Sequence, residues 1–378
     1  MTHYTKPKGS LISFMSNKVK EKGGINLAQG IPGFPPPKEL LDELNALTHT
    51  SIHQYAPGNG NKDLVDELLD KYQKEQTLNA DNLLITQGGT EALTLLFIYL
   101  KKKRTTPFSA LAFSPVYESY RNLPEIFNTP FIEFSLPVSG AVNFQELAQT
   151  IQNENVGVIF LATPGNPLGR IWSKTEMKAL IELCEQNKVY LILDAVYREL
   201  YFDTPPYLCD NYTHPQLFYT NSFSKLFSIT GWRIGYIIGH QQHLAQIKAI
   251  HDYTGLCAPS IQQQALANYL QKHQQGTAYI QWLRENLTQS FTRLKEVLEA
   301  FNFTIPEVKG GYFIWAKLPR PHTNGFDFAM QLYDKERVAV IPGEHFSPQT
   351  ANYIRLNIAH PLPTIDKAAK HLAHFLKA

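Results

Sequence analysis

Cysteine is scarce in this chain of 378 residues: Cys184, Cys209 and Cys257 are all there is. Three thiols, odd in number and far apart, argue against a disulfide framework and against a zinc site, and imply a reducing compartment. Long apolar runs are missing as well, so no membrane span is expected. The opening MTHYTKPKGSLISFMSNKVK has no uninterrupted apolar core of signal-peptide length, and the cytoplasm is the expected location. Charge of one sign is also lacking. Lys and Arg number 35 against 33 Asp and Glu, a net +2 that gives no reason to expect a nucleic acid or another polyanion as partner. The basic run at residues 101–104 ends a helical pattern, where cations suit the helix dipole and face solvent. No period of roughly 20–50 residues is visible, which argues against a solenoid. No GxGxxG follows a strand, so a nicotinamide-dependent enzyme lacks support.

What the chain does have is alternation. From Leu83 onward short apolar runs (NLLIT, ALAFS, VGVIFLA, VYLILD, FYTNS, RIGYIIG) are separated by segments of helical spacing. That pattern predicts an α/β fold, a mainly parallel central sheet with helices on both faces, whose ligands bind beyond the strand ends. After Gly276 a long helical pattern runs to about Phe301. Then FTIPEVKGGYFIWAKL and NYIRLNIA read as strands, with helices near 326–336 and 365–376. These predict a smaller α+β unit. The N-terminal stretch is too short and Pro-rich to stand alone and is expected to join it. The division expected is a large domain over 48–280 and a small one made of 1–47 and 281–378.

The most informative stretch is TNSFSKLFSITGWRIGY, residues 220–236. Ser222, Ser224 and Arg233 place hydroxyl donors and a fork-shaped cation near the amine of Lys225, a set that suits a phosphate beside a reactive lysine. Cations and apolar walls lower a lysine's pKa and let it form a Schiff base with a carbonyl. A Ser-rich turn before a strand is the plainer alternative for SxSK alone. NLLITQGGTEALTLLF supplies a second phosphate feature: Gly88, Gly89 and Thr90 put free N–H groups and a hydroxyl at a helix N-terminus, though strand–GG–helix is also a common structural turn. Asp194 ends the apolar run VYLILD, where a carboxylate needs a cation, hydrogen bonds or a helix to cap.

SFSKLFSITGWRIGY resembles the lysine motif of the class I/II aminotransferases, fold type I enzymes dependent on pyridoxal phosphate (PLP). The likeness extends through matching motifs in the expected order from about Leu27 to Ala359. It implies that Lys225 carries the cofactor as a Schiff base, with Ser222 and Arg233 on its phosphate. In SPVYESY, Tyr117 would stack on the pyridine, where many members have Trp. In TPGNPLG, Asn166 would bond the phenolic oxygen, as would Tyr197, while Asp194 would pair with the pyridine nitrogen. Arg355 in NYIRLNIA would grip the substrate α-carboxylate instead of facing solvent. LAQGIPGF is similar to the N-terminal substrate loop, with Gly30 at the ligand and residues 30–37 as a moving part. HQYAPGNG places Tyr55 where the family reaches from one subunit to the phosphate of its neighbour, which implies a homodimer with shared sites.

The activity implied is transfer of an amino group from an L-amino acid to a 2-oxo acid, with ping-pong kinetics. The wording of QGIPGF, HQYAPGNG and VIPGEHF is nearest the methionine/aromatic and kynurenine–glutamine branch. HDYTGLCAPS holds no Arg or Lys where dicarboxylate-specific members take a side-chain arginine from the neighbour. Phe14, Ile31, Phe34 and Phe346 are candidate pocket walls, with plain core roles as the alternative. Together these favour donors with uncharged side chains. A carbon–sulfur β-lyase using the same Lys225, an aspartate-type aminotransferase and a cofactor-free regulatory protein are the rivals. The last would be expected to have lost the lysine or gained a DNA-binding domain.

Overall fold

The computed structural model describes residues 4–73, 77–137 and 141–377. Its centre is a seven-stranded sheet: β1 (Leu83–Thr86), β2 (Ser109–Ser114), β3 (Phe131–Ser135), β4 (Val156–Ala162), β5 (Tyr190–Asp194), β6 (Leu217–Ser222) and β7 (Gly235–Gly239). The order across the sheet is β1-β7-β6-β5-β4-β2-β3. β6, β5, β4, β2 and β3 run parallel, while β7 is antiparallel to both β6 and β1. All six apolar runs of the sequence are strands. β3 is the addition, an edge strand whose half-buried FIEFS carries no continuous apolar run to announce it.

Alternation along each strand divides the core in two. Leu111, Ile159, Leu161, Leu191, Leu193 and Tyr219 face one layer, while Ala110, Ala112, Val158, Phe160, Ile192 and Phe218 face the other. A strand apolar on both faces must be covered on both, and burying one such side chain is worth roughly 1.5–3 kcal/mol. Helices Gly88–Lys103 and Gln241–Thr254 close one face through Leu96, Phe97, Leu244 and Ile247. Helix Lys174–Gln186 packs on the other through Met177 and Leu180, and begins in a capping box between Ser173 and Glu176.

Helix Thr277–Ala300 leads into an antiparallel sheet of β8 (Phe313–Lys317), β9 (Ile341–Pro342) and β10 (Tyr353–Asn357), ordered β9-β10-β8. Helices Gly325–Glu336 and Leu362–Lys377 lie beside it. The N-terminal segment contributes Ile25–Asn26, which pairs parallel with Val338–Ala339. Among the described residues no helix is long and apolar enough to cross a membrane, and no cluster of acidic, His and Cys side chains could hold a metal ion. Cys184 and Cys209 are buried and Cys257 is half-buried.

Candidate active site

The C-terminal ends of the parallel strands converge on one pocket of about 260 Å³. Past β2 comes Tyr117, past β4 Asn166, at the end of β5 Asp194 followed by Tyr197, and from β6 Ser222, Ser224 and Lys225. The start of helix Gly88–Lys103 adds Gly89 and Thr90, the chain before β7 adds Arg233, and the N-terminal loop and β10 add Gly30, Ile31 and Arg355. Residues far apart in sequence meet here because parallel strands all deliver their ends to one edge of the sheet.

Lys225 sits on a one-turn helix, Phe223–Leu226, capped by Ser222, whose Oγ accepts from Ser224 N at 3.2 Å. Its Nζ donates to the carbonyl of Gly30 at 2.5 Å. Burial, then Arg355 and Arg233, push the amine down to about 8, while Asp194 pulls the other way. A fraction of the amine is therefore neutral, and nucleophilic, near neutral pH.

Arg233 sits in left-handed backbone, φ 57°. Its guanidinium donates to Thr230 O at 2.9 Å and to Gln87 O at 3.3 Å. Gly88 is what makes room for it. Gly88 has φ +80°, and a Cβ there would meet the guanidinium at 2.5 Å. Gly88 thus backs Arg233 and does not itself line the pocket, whereas Gly89 and Thr90 do.

Asp194 accepts two hydrogen bonds, from Tyr120 Oη at 2.7 Å and from Val196 N at 3.2 Å. Burial pushes its carboxyl pKa up; those bonds and Lys225 oppose the shift without cancelling it. Tyr197, 4 % exposed, packs its ring on Tyr312 and Phe313. Arg355 is 1 % exposed, with Phe313 at 4.1 Å and Phe346 at 5.0 Å from the guanidinium. It donates to Asn166 Oδ1 at 3.0 Å and to Ala28 O at 2.5 Å, and its Nε has no partner. Burial lowers its pKa to about 10, with Tyr197, Glu118 and Tyr117 opposing.

Three of the expected pocket walls are elsewhere. Phe14 packs on Phe326, Phe34 on Trp282, and Phe346 is fully buried behind Arg355 against Trp315. Ile31 does line the pocket. In place of Phe14 the helix Leu11–Lys22 presents Ile12, since two residues along a helix is about 200° of rotation and so the opposite face. Tyr55 is 82 % exposed and takes no part in its own chain's pocket.

Tyr120, Glu118 and Tyr312 were not read from the sequence. Tyr120 N bonds Tyr117 O at 2.9 Å, one turn into helix Glu118–Ile126, so the YxxY spacing was the available signal for a second ring turned the same way. Tyr312 Oη donates to Lys225 O at 2.5 Å and had no local signal, being 87 positions away.

The family model described as aminotransferase class I and II matches residues 22–372. The probable N-acetyl-LL-diaminopimelate aminotransferase of Bacillus subtilis is 26% identical over 389 residues, spanning 100% of this chain and 96% of that protein. The probable aspartate aminotransferase of Methanocaldococcus jannaschii is 26% identical over 357 residues, spanning 91% of each. Among solved structures, the Escherichia coli protein YbdL, described as having a methionine aminotransferase function, superposes with a TM-score of 0.88 at 25% identity, over 99% of this chain and 100% of that one. The fold, the pocket at the strand ends and the match over nearly the whole length lead to one conclusion: this chain belongs to the class I and II aminotransferases, enzymes that depend on pyridoxal phosphate.

Proposed function

We propose that this aminotransferase takes its amino group from an L-amino acid with an uncharged side chain, of the methionine, phenylalanine, glutamine or kynurenine type, and passes it to a 2-oxo acid. One observation carries the substrate class. The aliphatic side chains Ile12, Ile31, Leu93 and Val196 line the pocket, and every cation that lines it (Lys225, Arg233, Arg355) has another task in this reading. The relatives' own donors are mixed, aspartate and diaminopimelate derivatives among them, so the pocket is the better guide.

The residues fit the cofactor. Asp194 is a carboxylate whose burial is incompletely offset by two hydrogen bonds, and a protonated ring nitrogen supplies the missing cation. Ser222, Arg233, Gly89 and Thr90 would hold the phosphate, with Gly88 keeping Arg233 in place. Asn166 and Tyr197 would bond the phenolic oxygen, Tyr117 would cover the ring, and Lys225 would hold the carbonyl carbon. When bound, PLP supplies an electron sink for the pair left at the substrate Cα.

The protein's share is positioning and proton transfer. Arg355 takes the α-carboxylate in its fork, and its unpaired Nε gives a donor that desolvation leaves waiting. Lys225, with a pKa brought down to about 8, is suited both to take the proton from Cα and to return one. The first 2-oxo acid leaves before the second binds, hence ping-pong kinetics. In the same reading the site lies between a large domain, 48–280, and a small one, 1–47 with 281–378, and a second copy completes it through Tyr55.

The experiment adds single amino acids to the PLP-loaded protein, without oxo acid, and follows the visible absorption of the lysine-linked cofactor. Methionine, phenylalanine, glutamine or kynurenine should discharge it faster than aspartate. Faster discharge by aspartate overturns the donor class. Persistence of the band with pyruvate and ammonia released from cysteine conjugates makes the enzyme a β-lyase.

A further inference from the structure

The pocket contains one charged side chain that the reading above leaves without a task. Glu118 is the first residue of helix Glu118–Ile126, next to Tyr117, and lines the same space as Arg355, Ile12 and Ile31. Of the five charged residues lining the pocket, Lys225, Asp194 and Arg233 are assigned to the cofactor and Arg355 to the α-carboxylate; Glu118 is what remains.

Its surroundings keep the carboxylate fixed and ionised. Oε2 accepts from Ser10 Oγ at 3.1 Å and lies 3.2 Å from His345 Nε2. Oε1 takes no hydrogen bond among the described residues. The contact with His345, then its charge, Ser10 and Arg355 together outweigh burial and hold the carboxyl below its ordinary pKa. Ser10 comes from the N-terminal segment and His345 from the turn before β10. The turn around His345 is itself tied to the start of the same helix, since Val116 N and Arg121 Nη2 both donate to Phe346 O, at 3.0 and 2.7 Å. Glu118 is thus held by two other parts of the chain and has little freedom to swing aside.

We infer that Glu118 is a specificity determinant that rejects donors carrying a second carboxylate. A dicarboxylic amino acid bound through Arg355 finds no spare cation for its distal group among the described pocket residues and brings it toward a fixed like charge. Like charges in a partly desolvated site repel far more than in water. An uncharged side chain meets no such penalty, and a side chain ending in an N–H donor gains an acceptor. This rests on the donor class proposed above and names the side chain that enforces it.

The test compares Glu118→Gln and Glu118→Asp with the wild type, all loaded with PLP, by the ratio of kcat/KM for aspartate to that for methionine. Glu118→Gln keeps the shape and an acceptor for Ser10 while removing the charge. The ratio should rise about tenfold or more, through KM for aspartate, equivalent to about 1.4 kcal/mol per factor of ten. Glu118→Asp retains the charge and should keep the low ratio. An unchanged ratio in Glu118→Gln overturns the role of the carboxylate. So does an equal rise in Glu118→Asp, which would mark a packing effect. A wild type that prefers aspartate overturns the donor class itself, whatever the variants do.

Discussion

A lysine amine at its ordinary pKa is almost wholly charged near neutral pH; at about 8, roughly one Lys225 in ten is neutral at pH 7. Two arginines contribute to that, so removing one has a defined sign. In Arg355→Ala the pKa of Lys225 should rise, and the pH profile for capture of PLP by the cofactor-free protein should move to higher pH, toward that of an unperturbed lysine. An unmoved profile would mean that burial and Arg233 set the amine without Arg355. Lys225→Ala should retain noncovalent cofactor yet lose turnover by about three orders of magnitude, within the range of a lost general base, measured by single-turnover kinetics. Tyr120→Phe isolates a subtler role. The ring stays stacked on Phe160, at 5.2 Å and nearly parallel, while the 2.7 Å bond to Asp194 is lost. A hydrogen bond to a charged group is worth about 1.5–3 kcal/mol, so the cofactor-free variant should lose about that much stability, read as a lower denaturant midpoint; an unchanged midpoint would mean that water replaces the hydroxyl.

At the level of the element, the parallel strands were legible because burial on both faces requires uninterrupted apolar residues, and five of the six runs lie along strands of the central sheet that carry site residues at or just beyond their ends. β3 was not, because an edge strand with Glu133 in its middle shows neither a run nor strict alternation. The same logic separates the candidate residues. Those one to four positions past a strand end could be placed by counting, as with Asn166 and Lys225. Those on the N-terminal helix depend on its phase, which puts Ile12 rather than Phe14 in the pocket. The loop at residues 30–37, expected to move, is anchored on both sides. Asn357 Nδ2 donates to Gln29 O and Ile31 O at 2.8 Å each, Gly33 N to Ala359 O at 2.6 Å, and Tyr279 Oη to Pro35 O at 2.8 Å. Asn357→Ala removes the central tie, leaving two carbonyls to water. The variant should show a raised KM and faster amide exchange over residues 29–33, with kcat less affected; unchanged exchange would show that the flanking anchors suffice.

For the whole molecule, the question is whether one chain makes a complete site. Tyr55 is 82 % exposed, and nearby in the fold Tyr253 is 92 % and Leu256 44 % exposed, with Gly58 packed close to Asp252 and Leu256 O, and Ser260 Oγ bonded to Gln54 O. Aromatic side chains left in water on the loop that bears Tyr55 and on the neighbouring helix that bears Tyr253 fit an interface with a second copy. Mixing decides whether Tyr55 acts across it. If each site takes Lys225 from one subunit and Tyr55 from the other, a hybrid of Lys225→Ala with Tyr55→Phe contains one site with both defects and one with neither. Denaturing and refolding the two inactive or weakened proteins together should then restore wild-type kcat/KM in about a quarter of the sites, half the dimers being hybrid with one good site each. If Tyr55 instead serves its own chain, every site in the hybrid carries one defect and nothing is regained. The outcome separates a shared site from a self-contained one without any need to see the dimer.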